Sequence, residues 1–99
     1  MLQMWTNKSD YVICETAEQA KEIAETFRSR QQDNWREFYD VNEPWYLYTK
    51  GFEIGDALSE SQGYLNEYGV YRRHVSCADV IKERGFGFFD VMSLIVLEA

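Results

Sequence analysis

Apolar positions in this chain change their spacing as it proceeds, and the changes predict its elements. Tyr11-Val12-Ile13-Cys14 is an unbroken run of β-formers, the pattern of a strand buried on both faces. Glu15 ends the run, and Thr16-Ala17-Glu18-Gln19 reads as a capping box: the Thr16 hydroxyl accepts from the Gln19 N–H while the Gln19 side chain reaches back. Beyond it Ala20, Ile23, Ala24 and Phe27 recur at i, i+3, i+4 and i+7, one face of a helix. Arg28 and Arg30 then suit the negative end of its dipole.

The remaining pattern is read the same way. Met4 and Trp5 open a first strand or lead into one, with Asn7-Lys8-Ser9-Asp10 as a turn. Residues 31–34 are a polar break. Residues 35–41 and 45–50 read as two strands, and Asn42-Glu43-Pro44 between them as a hairpin turn, because Pro44 fixes its own φ and biases Glu43 away from helix. Ile54, Leu58, Leu65 and Tyr68 fall near one helical face bracketed by Gly55 and Gly69; Gly63 inside it costs about 1 kcal/mol against alanine, and a long loop is the competing reading. Residues 70–75 predict a strand. A short helix follows, with Ser76 as N-cap, Asp79 in its first turn and Gly85 as its stop. Residues 88–97 predict the last strand. The sum is an α+β fold: a mostly antiparallel sheet of four to five strands with two or three helices packed on one face.

Ninety-nine residues predict one compact domain, 1–99. With 45% hydrophobic and 16% aromatic residues the chain has material for a core, and its sixteen aromatics exceed what two short helices cover, so several tyrosines stay partly exposed. A net charge of −7 argues against general affinity for nucleic acid or anionic membrane and favours a basic partner or a plainly soluble surface. The first eight residues show no signal peptide, and Leu94-Ile95-Val96-Leu97 is too short to span a bilayer. The expected setting is therefore a reducing cytoplasm, with Cys14 and Cys77 as thiols. Asn7-Lys8-Ser9 matches a glycosylation sequon that carries no meaning without secretion.

Candidate chemistry is sparse. Arg84-Gly85-Phe86-Gly87-Phe88-Phe89-Asp90-Val91 resembles the RNP1 motif of RNA-recognition domains, where strand aromatics stack on bases. Phe89 stands where an aliphatic is usual and Val91 where an aromatic is usual. The motif also lies too close to the last residue of the sequence for the helix and strand that follow it in that family. A glycine stop before an aromatic core strand is the better reading. His74 and Cys77 form a His-x-x-Cys pair, and a helix N-terminus could lower the Cys77 pKa. Only three N/S ligands exist, counting Cys14, and a zinc site wants about four. A packed thiol and a surface imidazole are the expectation. No Walker loop, dinucleotide fingerprint, nucleophile elbow or zincin helix occurs, so neither an enzyme nor a cofactor nor a metal site is expected.

What remains is the placement of acids. Residues 33–67 hold eight acids against Arg36 and Lys50, which is six of the seven net negative charges. On the first helix Glu18, Glu22 and Glu25 step by four and three, with rungs of ~5–6 Å that lie close to the spacing of backbone phosphates, one per ~3.4 Å along a strand. Lys21 is within reach of Glu18 and Glu25, and Arg28 within reach of Glu25, so an ordinary salt-bridged helix explains the ladder equally well.

Trp5, Val12-x-Cys14-x-Thr16-Ala17-x-x-Ala20 and the late helix ending in Gly85-Phe86-Gly87 resemble small acidic proteins encoded by phages and mobile elements. That resemblance covers both ends of the chain and leaves the middle unmatched. It implies an inhibitor of host defence, of the anti-CRISPR or anti-restriction kind, and transfers no functional residue. The expectation is thus a non-enzymatic inhibitor that covers a basic nucleic-acid-binding surface of a defence complex without binding nucleic acid itself. Glu18, Glu22, Glu25, Asp33, Glu37, Asp40 and Glu43 would supply the charge, with Trp45 and Tyr46 as aromatic anchors. The rival is an assembly module, a homodimer pairing through residues 94–97.

Overall fold

A computed structural model describes residues 1–55, 64–65 and 71–91. Its elements are β1 (Gln3–Thr6), β2 (Tyr11–Cys14), α1 (Ala17–Gln31), a 3-10 turn (Trp35–Glu37), β3 (Tyr46–Leu47), β4 (Phe52–Gly55), β5 (Tyr64–Leu65), β6 (Tyr71–Val75), α2 (Cys77–Arg84) and β7 (Gly87–Phe89). The strands form two antiparallel sheets, ordered β3-β1-β2-β7 and β4-β6-β5. The α+β class is the one expected. Among the described residues no helix is long and apolar enough to cross a membrane.

Because β2 is apolar at every position, both of its faces need cover. Val12 and Cys14 pack with Ala20 and Ala24 of α1, four residues with no exposed surface. Two alanines facing the sheet let the helix backbone lie close to it. Ile13 points the other way, into a cluster with Met4, Phe52 of β4, Val80 of α2 and Phe89 of β7. Neighbouring β7 repeats the division: Phe88 stacks on Phe27 of α1 at 3.9 Å, while Phe89 is buried in the opposite cluster. The two helices therefore cover opposite faces of the four-stranded sheet, not one face, with the second sheet joining α2 on its side.

The local devices at the helix ends form as the residues suggest. Thr16 accepts from the Gln19 N–H at 3.2 Å, and Gln19 reaches back to the Glu15 N–H at 2.9 Å. Ser76 accepts from the Asp79 N–H, and Gly85, at φ 72°, ends α2 by donating to the Ile81 carbonyl. Gly51, at φ 74° before β4, has a stricter reason: a Cβ there would lie 2.7 Å from the Val75 carbonyl oxygen.

Four expectations fail, for identifiable reasons. Residues 35–41 are not a strand. Trp35 is buried and Tyr39 half-buried while Arg36, Glu37 and Phe38 between them are exposed, a period of about one helical turn in a stretch whose aromatic content mimics β. The predicted 35–50 hairpin is consequently absent, and β3 pairs instead with β1, Thr6 opposite Tyr46 and Trp5 opposite Leu47. The helix predicted over 54–68 meets β4 and β5 at the residues that are described: Gly55 ends β4, and Tyr64–Leu65 pair with β6. Leu58, Gly63, Tyr68 and Gly69 lie outside the described residues. The last strand spans Gly87–Phe89, ending before Asp90, and residues 92–97 of that prediction also lie outside.

Candidate functional site

With Ala20 and Ala24 turned to the sheet, helical geometry sends Glu18 and Glu22 to solvent and leaves Glu25 half-buried at the margin. These three line a shallow cavity of about 370 Å³ with Lys21 and Thr26. Glu18 and Lys21 are shared with a second cavity of about 290 Å³, whose far wall is Val41, Glu43, Pro44 and Trp45. The two make one strip along α1, acidic in the middle and aromatic at the end. Trp45 is half-buried against the α1 side of the core, which fixes the exposed part of its ring beside Glu18.

Electrostatics of the strip depend on a residue that spacing alone would misplace. Arg28, one turn beyond Glu25, turns inward and grips Asp10 with Nε at 3.2 Å and Nη2 at 2.5 Å. Asp10 is 3% exposed, so its charge commands the pairing far more strongly than a surface glutamate does. The bond to Asp10 holds the Arg28 pKa up against the opposing effect of burial. Among the described residues Glu18, Glu22, Glu25 and Lys21 then have no ion-pair partner within 4 Å.

The Asp10 centre also holds the far wall of the strip in place. Asn7 Oδ1 accepts from the Ser9 and Asp10 N–H groups, closing the turn in which Lys8 takes φ 81°. Asn7 Nδ2 donates to the Tyr39 hydroxyl at 2.7 Å, and the Arg28 guanidinium lies over the Tyr39 ring at 5.6 Å. Burial, with the Asp10 charge behind it, pushes the Tyr39 hydroxyl up to about 12. Tyr39 thus pins the segment leading to Glu43 and Trp45. The sequon asparagine is itself buried at 2% exposure with its amide nitrogen committed to Tyr39.

The other expected site residues are dispersed. Asp33 is exposed beyond the end of α1, Glu37 accepts from Asn34 at 3.4 Å, and Asp40 accepts from the Asn42 N–H at 2.9 Å. None of the three lines the strip. Glu43 does, although Lys8 is held against it at 3.2 Å. Trp45 and Tyr46 are separated by strand alternation: Trp45 packs on the α1 face, whereas Tyr46, opposite Thr6, belongs to the other. Sequence reasoning missed Asp10, Arg28 and Tyr39 as the group that shapes the strip, and Val41 and Pro44 as its wall. No local spacing signals these; Asp10 and Arg28 are 18 residues apart.

The remaining motifs are absorbed by the fold. Of the RNP1-like run, Phe88 is half-buried against Phe27 of α1 and Phe89 is buried in the opposite core, while Phe86, ahead of β7, is 60% exposed, so the strand itself presents no pair of aromatics for base stacking. Burial raises the Cys77 pKa, the opposite of the lowering expected at a helix N-terminus, and its Sγ donates to the Tyr48 carbonyl. Burial raises the Cys14 thiol as well. His74 Nδ1 lies 3.1 Å from Glu53 Oε1 across the β4–β6 ladder. Among the described residues no three His, Cys, Asp or Glu side chains converge as a metal cage. Comparison with protein-family models, with curated proteins and with solved structures gives no match to this chain.

Proposed function

We propose that the chain is a non-enzymatic inhibitor that lays the acidic strip of α1 on a basic, nucleic-acid-binding surface of a host-defence complex in the cytoplasm. One observation carries the reading: Glu18, Glu22 and Glu25 lie along one helix face with no ion-pair partner among the described residues, Arg28 being committed to Asp10 and Lys21, which lines the same strip, making no ion pair within 4 Å. Unpaired carboxylates at helical spacing offer a cationic groove a row of charges it is built to accept. Trp45 at the end of the row supplies a large, rigid contact whose ring position is already set by packing. The defence setting is what the resemblance of the two ends of the chain to phage and mobile-element proteins implies.

Displacement tests this directly. The chain is titrated into defence nucleases from the natural host, each bound to labelled DNA. Release of DNA by the natural chain is expected, weaker as ionic strength rises and lost with Glu18→Gln, Glu22→Gln and Glu25→Gln together. DNA retained at every concentration by every nuclease tested, or release indifferent to those three substitutions, overturns it.

A further inference from the structure

The open edge of β3 offers a second surface that owes nothing to the acidic strip. β3 is outermost in its sheet, and among the described residues no strand lies on its free side. Tyr48 donates its N–H to the Met4 carbonyl at 2.8 Å. In an antiparallel ladder bonded and non-bonded pairs alternate, so the preceding residue, Leu47, turns its own N–H and C=O away from β1. Tyr46 and Leu47 remain 44% and 45% exposed. Neither position carries a charge, proline or bulge of the kind that keeps sheet edges from pairing, and only the two-residue length of the strand works against it.

Beside this edge a cavity of about 350 Å³ opens between β1, Tyr48 and the first turn of α2, where Leu2, Met4, Cys77 and Ile81 line it. No Asp, Glu, Lys, Arg or His contributes to its wall. Residues 44–49 are likewise uncharged, and Glu43 just before them is already engaged by Lys8.

We propose that this edge pairs with the same edge of a second copy, β3 against β3 about a two-fold axis. Charge selects the occupant. Two chains each carrying −7 repel wherever their acids approach, and they meet at least cost across an uncharged surface. A cationic partner gains nothing there. The backbone is self-complementary as well: an antiparallel two-fold brings the outward N–H of each Leu47 to the carbonyl of the other, closing both bonds at once. Strands this short make a weak dimer, in which the apolar margin of the cavity supplies area that the ladder lacks.

Sedimentation equilibrium of the full chain over a range of concentrations tests the pairing, with hydrogen exchange at the Leu47 amide as a site-specific reading. A rise from monomer to dimer mass, accompanied by slowed exchange at Leu47, is expected. Leu47→Lys abolishes both, and Tyr46→Lys repeats the test from the other face of the strand, with circular dichroism confirming that each variant folds. Ile95→Lys and the triple glutamine variant of α1 keep the dimer. A chain monomeric at every concentration, a dimer that survives both edge lysines, or one lost in Ile95→Lys alone overturns the proposal.

Discussion

The turn at Asp10 and the outer face of α1 hold carboxylates in opposite circumstances. Asp10 is 3% exposed, gripped by two nitrogens of Arg28 and enclosed by Asn7 and Tyr39. Glu18, Glu22 and Glu25 have no ion-pair partner among the described residues and stand at or near the surface. Arg28 belongs wholly to the first, which leaves Lys21 as the cation standing within the second. A buried charge left alone costs far more than an exposed one, so Arg28 goes to the acid that water cannot reach, and the surface ladder keeps its full charge. The comparison teaches that an acidic surface can follow from where the interior places its cations, without any excess of acids in the local sequence.

Arg28→Met breaks the comparison most severely. It leaves Asp10 buried without its counter-charge, and a loss of about 3 kcal/mol is expected, at the low end for breaking a buried pair because the Arg28 side chain is itself 34% exposed. Urea denaturation measures it. Adding Asp10→Asn to Arg28→Met recovers part of the loss, since the uncompensated charge is then gone; a double variant as unstable as the sum of the two singles would show that the pair is not coupled.

Tyr39 sharpens the same side of the comparison through pH. Its hydroxyl is raised from 10.0 to about 12, so the folded chain holds that proton where the unfolded chain releases it. The stabilisation is complete below pH 10 and is lost as pH rises toward about 12, which makes stability fall with pH across that window. Urea midpoints measured at steps through this range should decline for the natural chain and decline less for Tyr39→Phe. Cys14, also raised by burial, adds a slope of the same sign above its ordinary value of 9.0, so the Tyr39→Phe curve flattens without becoming level.

Much of the framework around both regions was legible because its signals are local. The β2 run, the capping box at Thr16, the alanine face of α1 and both ends of α2 each depend on residues within a few positions of one another. What escaped depends on distance or on phase. β3 pairs with β1 and not with residues 35–41, and its partner residues there lie 40 and 42 positions away in the chain, where no spacing rule reaches. Trp35 and Tyr39 carry β-propensity, yet their four-residue phase matches a turn. The Glu18–Glu22–Glu25 ladder was visible as a pattern; that Arg28 would desert it for Asp10 was not. Alternation along the predicted 45–50 strand already sets Trp45 and Tyr46 on opposite faces; which of the two joins the strip is what spacing does not tell.

Thr16→Ala probes the point at which the exposed side begins. The Thr16 hydroxyl satisfies the Gln19 N–H, and its removal costs about 1 kcal/mol in the usual case. Because Glu18 sits in the first turn that this cap secures, fraying there should weaken whatever the strip binds by more than it weakens the rest of the fold. Hydrogen exchange at residues 17–20 separates the two: faster exchange confined to that turn is expected, whereas acceleration throughout α1 would mean that the cap supports the whole helix.

Replacing Glu18, Glu22 and Glu25 by glutamine together has the smallest expected effect on stability and draws the contrast most sharply. Relief of the Glu18–Glu22 and Glu22–Glu25 repulsions adds roughly 0.2–0.5 kcal/mol each, while loss of the Glu18 carboxylate near the positive end of α1 removes roughly 0.3–1 kcal/mol. The two nearly cancel, so unfolding midpoints at moderate salt should match those of the natural chain within about 0.5 kcal/mol. The residual difference should vary with salt, since exposed charges are screened and Asp10 is not. A large destabilisation would mean that the ladder supports the fold as Asp10 does, and that these glutamates are held by contacts within the chain instead of being left free for a partner.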